Sequence, residues 1–363
     1  AACSPASEPV SGEPSAVSWD SLTVESGLDL QYADQFTVDY YTGGYALIHI
    51  VDGNDYLVVP ENKPVPDGLA DTTVVLTQPL DHIYLVATSA MDLFCALDGI
   101  GSIRLSGTDE RGWYIDEAKA AMQNGAMLYA GKYSAPDYEL IYAEQCDLAV
   151  ESTMIYHSPE VKEQLERLGV PVLVERSSYE SSPLGRMEWL KLYGVLLNRE
   201  EAAEAIYQQA LDSLRPVIEQ ENTGKAVVFF YINSNGSANV RKSNDYVAKM
   251  IEMAGGTYIF SDLGNDNALS TMNMQMEMFY TGAKDADVII YNSTIDGELH
   301  SIDELLAKSP LLADFKAVRN GDVWCTGQNL FQSTMGLGDM ILDIHAVLTE
   351  EAPEPLTYLH RLT

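Results

Sequence analysis

Residues 177–206 read SSYESSPLGRMEWLKLYGVLLNREEAAEAI, and the way this stretch folds decides the architecture of the whole chain. Ser182 suits a helix N-cap, where a hydroxyl accepts an orphan backbone N–H. Pro183 suits the first helical residue, where a missing N–H costs nothing. Apolar or small residues then recur at helical spacing at Met187, Leu190, Gly194 and Leu197. Asn198 with Glu201 forms a second capping pair. Beyond it Ala202, Ala205, Ile206, Ala210, Leu214 and Val217 carry the stripe on to about residue 221. The stretch predicts one long helix, with room for a kink, that divides the chain into two halves. The expected organisation is a flexible tether over residues 1–30, an N-terminal lobe over 31–182, a linking helix over 183–222 and a C-terminal lobe over 223–363.

A chain of 363 residues accommodates two lobes, each burying its own core. Hydrophobic content of 46% is that of a globular protein, and no run approaches the ~20 apolar residues of a membrane span. The formal charge of -33, from 54 acids against 21 bases, repels nucleic acid and anionic headgroups, so neither is an expected partner. The excess is uneven, since no Lys or Arg precedes Lys63. The opening AACSPASEPVSGEPSAVSWDS is rich in Ser, Pro, Ala and Glu and reads as tether. Cys3, preceded by two alanines, is similar to the lipidation site of bacterial lipoproteins; the plain alternative is a free cysteine in a tail. Cys95, Cys146 and Cys325 lie far apart in or beside apolar stretches and read as buried free thiols.

Working outward from the helix, the start of the N-terminal half reads as antiparallel β. FTVDYY, YALIHIV and DYLVVP are separated by Gly43-Gly44 and by DGN, both hairpin-type connections. After Asp71 strand–loop–helix units follow: IYLVAT with SAMDLFCAL, GSIRLSG, DYELIYAEQ with CDLAVEST, and SPEVKEQLERLG with VPVLVER. The C-terminal half repeats the pattern with KAVVFFYIN, NDYVAKMIEMAGG, MEMFYTGAKD, ADVIIYNST, SIDELLAKSPLL, GDVWCTG and STMGLGDMILDIHAVL. The fold class is therefore α/β: two α/β lobes with mainly parallel sheets, bridged by one long helix, plus an N-terminal antiparallel β segment. In such sheets ligands bind beyond the carboxyl ends of the strands, which places a site in the cleft between the lobes.

PDYELIYAEQCDLAV followed by VKEQLERLGVPVLVE resembles the N-lobe of ABC-transporter substrate-binding proteins of the iron-siderophore, haem and cobalamin class. LLNREEAAEAI is similar to the linking helix of that class, AKMIEMAGGTYIF to its C-lobe helix and turn, and LLADFKAVRNGDVW to the segment entering its last strand. The resemblance covers about residues 80–350. It departs where Cys146 stands in place of a proline before the strand, in the β-rich start, and in the elaborate SSYESSPLGRMEW. It implies an extracytoplasmic, lipid-anchored binding protein that delivers a metal chelate to an ABC permease, opening by a small hinge about the helix. It also implies docking of a glutamate at the tip of each lobe onto permease arginines. Glu139 falls eight residues before the strand aspartate Asp147; Glu277 stands two residues further from its own strand. The alternative for both is a solvated carboxylate at a helix start.

Local catalytic patterns are missing. ENTGK lacks the first glycine of a P-loop, and neither H-E-x-x-H nor G-x-S-x-G occurs. The six histidines are scattered, so no resident metal or cofactor is expected; a surface enzyme or chelatase-like module on the same fold is the alternative function. A chelate needs aromatics, a few donors and an apolar floor. The strand-end loops offer Ser89, Met91, Tyr133, Ser134, Thr153, Met154, Tyr156, His157, Arg176, Tyr179 and Arg186 from the first half, and Asn233, Arg241, Tyr291, Asn292, Trp324 and Phe331 from the second. His157, Met154 or Tyr156 has the chemistry to ligate a bound iron or cobalt. The same loops hold few bases (Lys132, Arg176, Arg186, Arg241) beside six aromatics, so a large, weakly charged haem or corrinoid is expected over a triply anionic catecholate. Each chain is expected to act as a monomer.

Overall fold

The computed structural model describes residues 16–264, 270–351, 353 and 355–363; Cys3 lies outside them. Three β-sheets are present among these residues. The first joins Val24–Gly27, Phe36–Tyr41, Ala46–Ile50 and Asp55–Val59 in antiparallel order, with Val74–Thr77 added parallel to the last. Phe36 and Val38 are buried while Thr37 and Asp39 are exposed, the alternation of a strand with one core face. That face packs on the bridge, with the Phe36 ring 4.7 Å from Trp189. On the far face Trp19 lies 4.5 Å from Tyr41. The expected tether over residues 1–30 thus takes in residues that belong to the fold, Trp19 and the strand Val24–Gly27 among them.

The second sheet is wholly parallel, in the order Val172–Val174, Leu148–Glu151, Ile83–Leu85, Ile103–Ser106, Leu128–Tyr129. The chain leaves Ile83–Leu85 toward one edge and returns on its other side. A crevice thus opens where that strand adjoins Leu148–Glu151. The third sheet is parallel in its centre, Ala226–Ile232, Val288–Tyr291 and Val323–Thr326, but antiparallel at its flanks, where Ala238–Arg241, Thr271–Met274 and Leu359–Arg361 pair. AVVFFYI is buried along most of its length because helices cover both of its faces. Each lobe uses its strand aspartate alike: Asp147 accepts the N–H groups of Asp81 and His82, and Asp287 accepts that of Ala226. Both carboxylates thereby fasten the start of the neighbouring strand.

The bridge is not continuous over residues 183–222. It consists of Pro183–Glu188, Leu190–Leu196 and the 19-residue helix Glu200–Ile218. Asn198, at φ 55°, turns the chain; the long helix packs back along Leu190–Leu196, and its Tyr207 hydroxyl donates to the Leu184 carbonyl in the first short helix. A Cβ on Gly194 would stand 2.7 Å from that of Ala203, so glycine is what lets the two arms approach. The expected capping pair at Asn198 and Glu201 does not form, since Arg199 is the N-cap residue and makes no side-chain cap bond; the site is the turn of a helical hairpin rather than a kink.

The elaborate segment before the hairpin holds the first sheet in place. Glu188, fully buried, accepts the N–H groups of Gln31, Tyr32 and Ala33 and pairs with Lys191 at 2.8 Å. Glu180 accepts the N–H groups of Asp34 and Gln35 and the indole N–H of Trp189. One hydrophobic core then runs without a break from the first sheet through the hairpin into the C-terminal sheet.

Candidate ligand cleft

The carboxyl ends of the second and third sheets face each other across the hairpin. On the N-terminal side Ser89 opens the helix Thr88–Ala96, and Glu175 and Ser177 follow the strand Val172–Val174. Glu175, 2% exposed, accepts the Ser89 hydroxyl at 2.8 Å and the Ser177 N–H at 2.9 Å. Arg186, in the first helix of the hairpin, lays its guanidinium 3.6 Å from the ring centre of Tyr246. It donates to the backbone oxygens of Glu180 and Ser178 at 3.1 and 2.7 Å, rather than to a glutamate side chain. Burial lowers the pKa of Arg186, with Arg241 acting in the same sense; Tyr246, Asp245 and Glu175 oppose the shift.

From the other side Asp245 caps the helix Tyr246–Met253 through the Val247 N–H and stands 3.6 Å from Arg241. Arg241 in turn lies 4.8 Å from the ring centre of Phe331. Ser89, Ser177, Arg186, Tyr246, Phe331 and Thr334 enclose a cavity of about 30 Å³, the size of a water molecule. At the back, Thr334 donates to the Ser89 carbonyl, Asp92 accepts the N–H groups of Met335 and Gly336, and Gln332 bonds Gly112 and Tyr114.

The structure gathers some of the expected residues and scatters others. Ser89, Arg186, Arg241 and Phe331 converge in the deep cleft. Arg176 stacks 3.9 Å from the ring centre of Tyr179, whose hydroxyl donates to Thr153 at 3.2 Å. Tyr179, Met154 and Tyr156 are about half exposed, and with the exposed His157 they line the rim of the N-terminal lobe. Tyr133 and Ser134 sit in the loop after Leu128–Tyr129, half-buried and exposed, and reach none of the cleft groups.

Five expectations are corrected. Met91, Tyr291 and Trp324 are core residues with at most 1% exposure. Strand-end position does not expose a side chain when the next layer of helices covers that face. Tyr291 accepts the Ile232 N–H through its hydroxyl, and Trp324 packs under Arg361. Asn292 is buried too, and its side chain accepts from Thr294 within a turn. Asn233 has a similar local task, accepting from Asn235 and Ser237. The residues missed were Glu175, Ser177, Asp245, Tyr246 and Thr334. Only Asp245 carried a local signal, as an N-cap immediately before an apolar helix face.

Glu139 and Glu277 are exposed and each is the second residue of its helix, Tyr138–Ala143 and Met276–Ala283. Both helices precede the strand that adjoins the first parallel strand of their lobe. The helix of Glu277 has eight residues against six for that of Glu139, which accounts for its two extra residues of spacing. Among the described residues one group of His, Cys, Asp or Glu has metal-ligand proximity, Asp81, His82 and Asp147, at the end of the sheet away from the cleft. A polar cavity of about 360 Å³ lies at the far end of the third sheet, but its cations are spent: Lys225 on the Leu348 carbonyl, Lys316 on Asp287 and Arg361 on the Gly321 carbonyl.

Two parallel-centred sheets meeting at a cleft across a helical bridge define a two-lobed solute-binding protein. The chain matches the periplasmic binding protein family over residues 105–330 and belongs to it. The family is one of binding proteins, and this chain is a binding protein rather than an enzyme. It is 27% identical over 354 residues to an uncharacterized lipoprotein of Methanocaldococcus jannaschii, covering 91% of this chain and 82% of the relative. Its fold is shared with a periplasmic heme binding protein of Vibrio cholerae, at a TM-score of 0.59 and 18% identity over 75% of this chain and 98% of that one. It is shared also with a periplasmic vitamin B12 binding protein of the same organism, at 0.52 and 16%, over 74% and 97%.

Proposed function

We propose that this protein is an extracytoplasmic receptor, anchored through a lipid on Cys3 and acting as a monomer, that captures a metal chelate and delivers it to an ABC permease. The observation that carries this reading is the meeting of Arg186 of the hairpin on Tyr246 with Arg241 on Phe331 of the C-terminal lobe, beside Ser89 and Ser177 of the N-terminal lobe. Guanidinium forks held on aromatic faces offer both hydrogen bonds and flat apolar area, the two things a chelate presents. The lipoprotein relative and the fold neighbours named for heme and vitamin B12 agree with it. Glu139 and Glu277, on matching helices, are the groups we assign to permease docking.

The test is titration of the purified protein with haem, cyanocobalamin, a ferric trihydroxamate and a ferric tricatecholate, followed by tryptophan fluorescence. At least one should bind saturably, and Arg186→Ala should weaken it by about tenfold or more, as loss of a central anchor does. Lysine at both Glu139 and Glu277 should leave that affinity intact and abolish stimulated uptake by the permease. Absence of saturable binding to any of the four refutes the chelate reading.

A further inference from the structure

The cleft holds two acids to match its two bases. Glu175 lies directly behind Ser89 and Ser177, bonded to both, and these serines face the enclosed cavity. Asp245 immediately precedes Tyr246, which faces the same cavity, and pairs with Arg241. Both acids are nearly inaccessible, at 2% and 5% exposure. Arg186 has already committed its Nε and Nη2 groups to backbone oxygens.

We propose that Glu175 and Asp245 determine the specificity of the cleft: by balancing Arg186 and Arg241 they make it select chelates of no net charge and exclude polyanionic ones. This rests on the reading of the cleft as the ligand site. A tricatecholate needs several arginines whose charge is free, because its own charge loses its hydration on entering. Here Arg241 answers first to Asp245, Arg186 is held by two backbone oxygens with Asp245 and Glu175 acting on its charge through space, and those buried carboxylates repel the incoming anion. A trihydroxamate, in which three single negative charges cancel the ferric ion, meets no such repulsion and still finds the aromatic faces and the remaining guanidinium N–H. Selection against a competitor by an unfavourable charge is as effective as added attraction for the right ligand.

The acids also explain why so few bases are compatible with binding. The six aromatics first expected to prefer a weakly charged ligand do not assemble, since Tyr291 and Trp324 are in the core. The preference proposed here rests instead on the charge balance.

Calorimetric titration of the full chain with a neutral ferric trihydroxamate and a triply negative ferric tricatecholate tests this, using wild type, Glu175→Gln and Asp245→Asn. Wild type should prefer the neutral chelate. Each variant should narrow that preference by about tenfold, the trianion gaining relative to the neutral chelate. Asn at 245 retains an oxygen to cap the Val247 N–H, so this variant keeps the test open should Glu175→Gln fail to fold. A wild-type preference for the trianion, or an unchanged ratio in a folded variant, overturns the proposal while leaving the chelate reading standing. If wild type binds neither these two nor haem nor cobalamin, both readings fall.

Discussion

Two of the places where the N-terminal half buries carboxyl groups could hardly be treated more differently. Glu188 and Glu180 sit at the start of the hairpin inside a nest of five backbone N–H groups, with Lys191 and the Trp189 indole as further donors. Glu151, at the end of the strand Leu148–Glu151, is equally inaccessible, yet neither oxygen has a hydrogen-bond partner among the described residues. Its neighbours are the core of the outer sheet face, Tyr84 and Ile155 among them. The first site shows how burial of charge becomes a fastening, since each donor there would itself be orphaned without the acid. The second shows burial as a plain cost, which the acid lessens by holding a proton: burial pushes its pKa up to about 8.

The largest expected effect breaks the fastening. Glu188→Ala leaves three N–H groups without their acceptor and takes from the buried Lys191 its closest carboxylate, leaving it the Asp29 carbonyl and Glu204, and should cost about 3–5 kcal/mol in chemical denaturation. The first sheet should detach before the lobes, seen as early loss of protection of its amides.

A smaller effect sharpens the contrast. From its ordinary value of 4.5, the Glu151 pKa rises to about 8, so the folded protein keeps a proton that the unfolded chain releases across that interval. Stability contributed by this group is full below the lower value and is lost as pH rises through the window, then levels off. Glu180, pushed up to about 7 chiefly by burial, acts in the same direction over a narrower range. Wild type should therefore lose up to about 1 kcal/mol per pH unit relative to Glu151→Gln over this interval. Parallel pH profiles for the two proteins would show that Glu151 is solvated after all.

The smallest expected effect concerns the lobes themselves. Because one core passes through the hairpin, and Thr334, Asp92 and Gln332 tie the back of the cleft, loading should rotate the lobes only slightly. Solution scattering should give radii of gyration for free and loaded protein that agree within about 1 Å. A marked compaction would mean that the hairpin is a hinge rather than a brace.

Both lobes were legible in the sequence because their central strands, such as AVVFFYI and LAVE, are apolar runs that only a doubly covered sheet can bury. The flanking strands Ala238–Arg241 and Thr271–Met274 were not, because ANVR and TMNM become strands only through the neighbours they pair with. The turn at Asn198 was marked in the sequence only by an expected capping pair, and a cap does not say in which direction the next helix leaves. In the cleft, residue type at a strand end proved a poor guide. Tyr179 and Tyr291 look alike in sequence; one is half exposed at the rim and the other is walled in beside Phe230. Glu175 and Tyr246 escaped notice because their position depends on the hairpin holding Arg186 between the lobes, a tertiary fact with no local signature.

Hydrogen exchange with and without the chelate that binds best tests the central claim most directly, because it locates the ligand without assuming which residue matters. If the cleft is the site, protection should rise in residues 175–186, 245–248 and 330–336 together, drawing on both lobes and the hairpin. Protection confined to one lobe, or centred on Lys225, Lys316 and Arg361 at the far end of the third sheet, would contradict it.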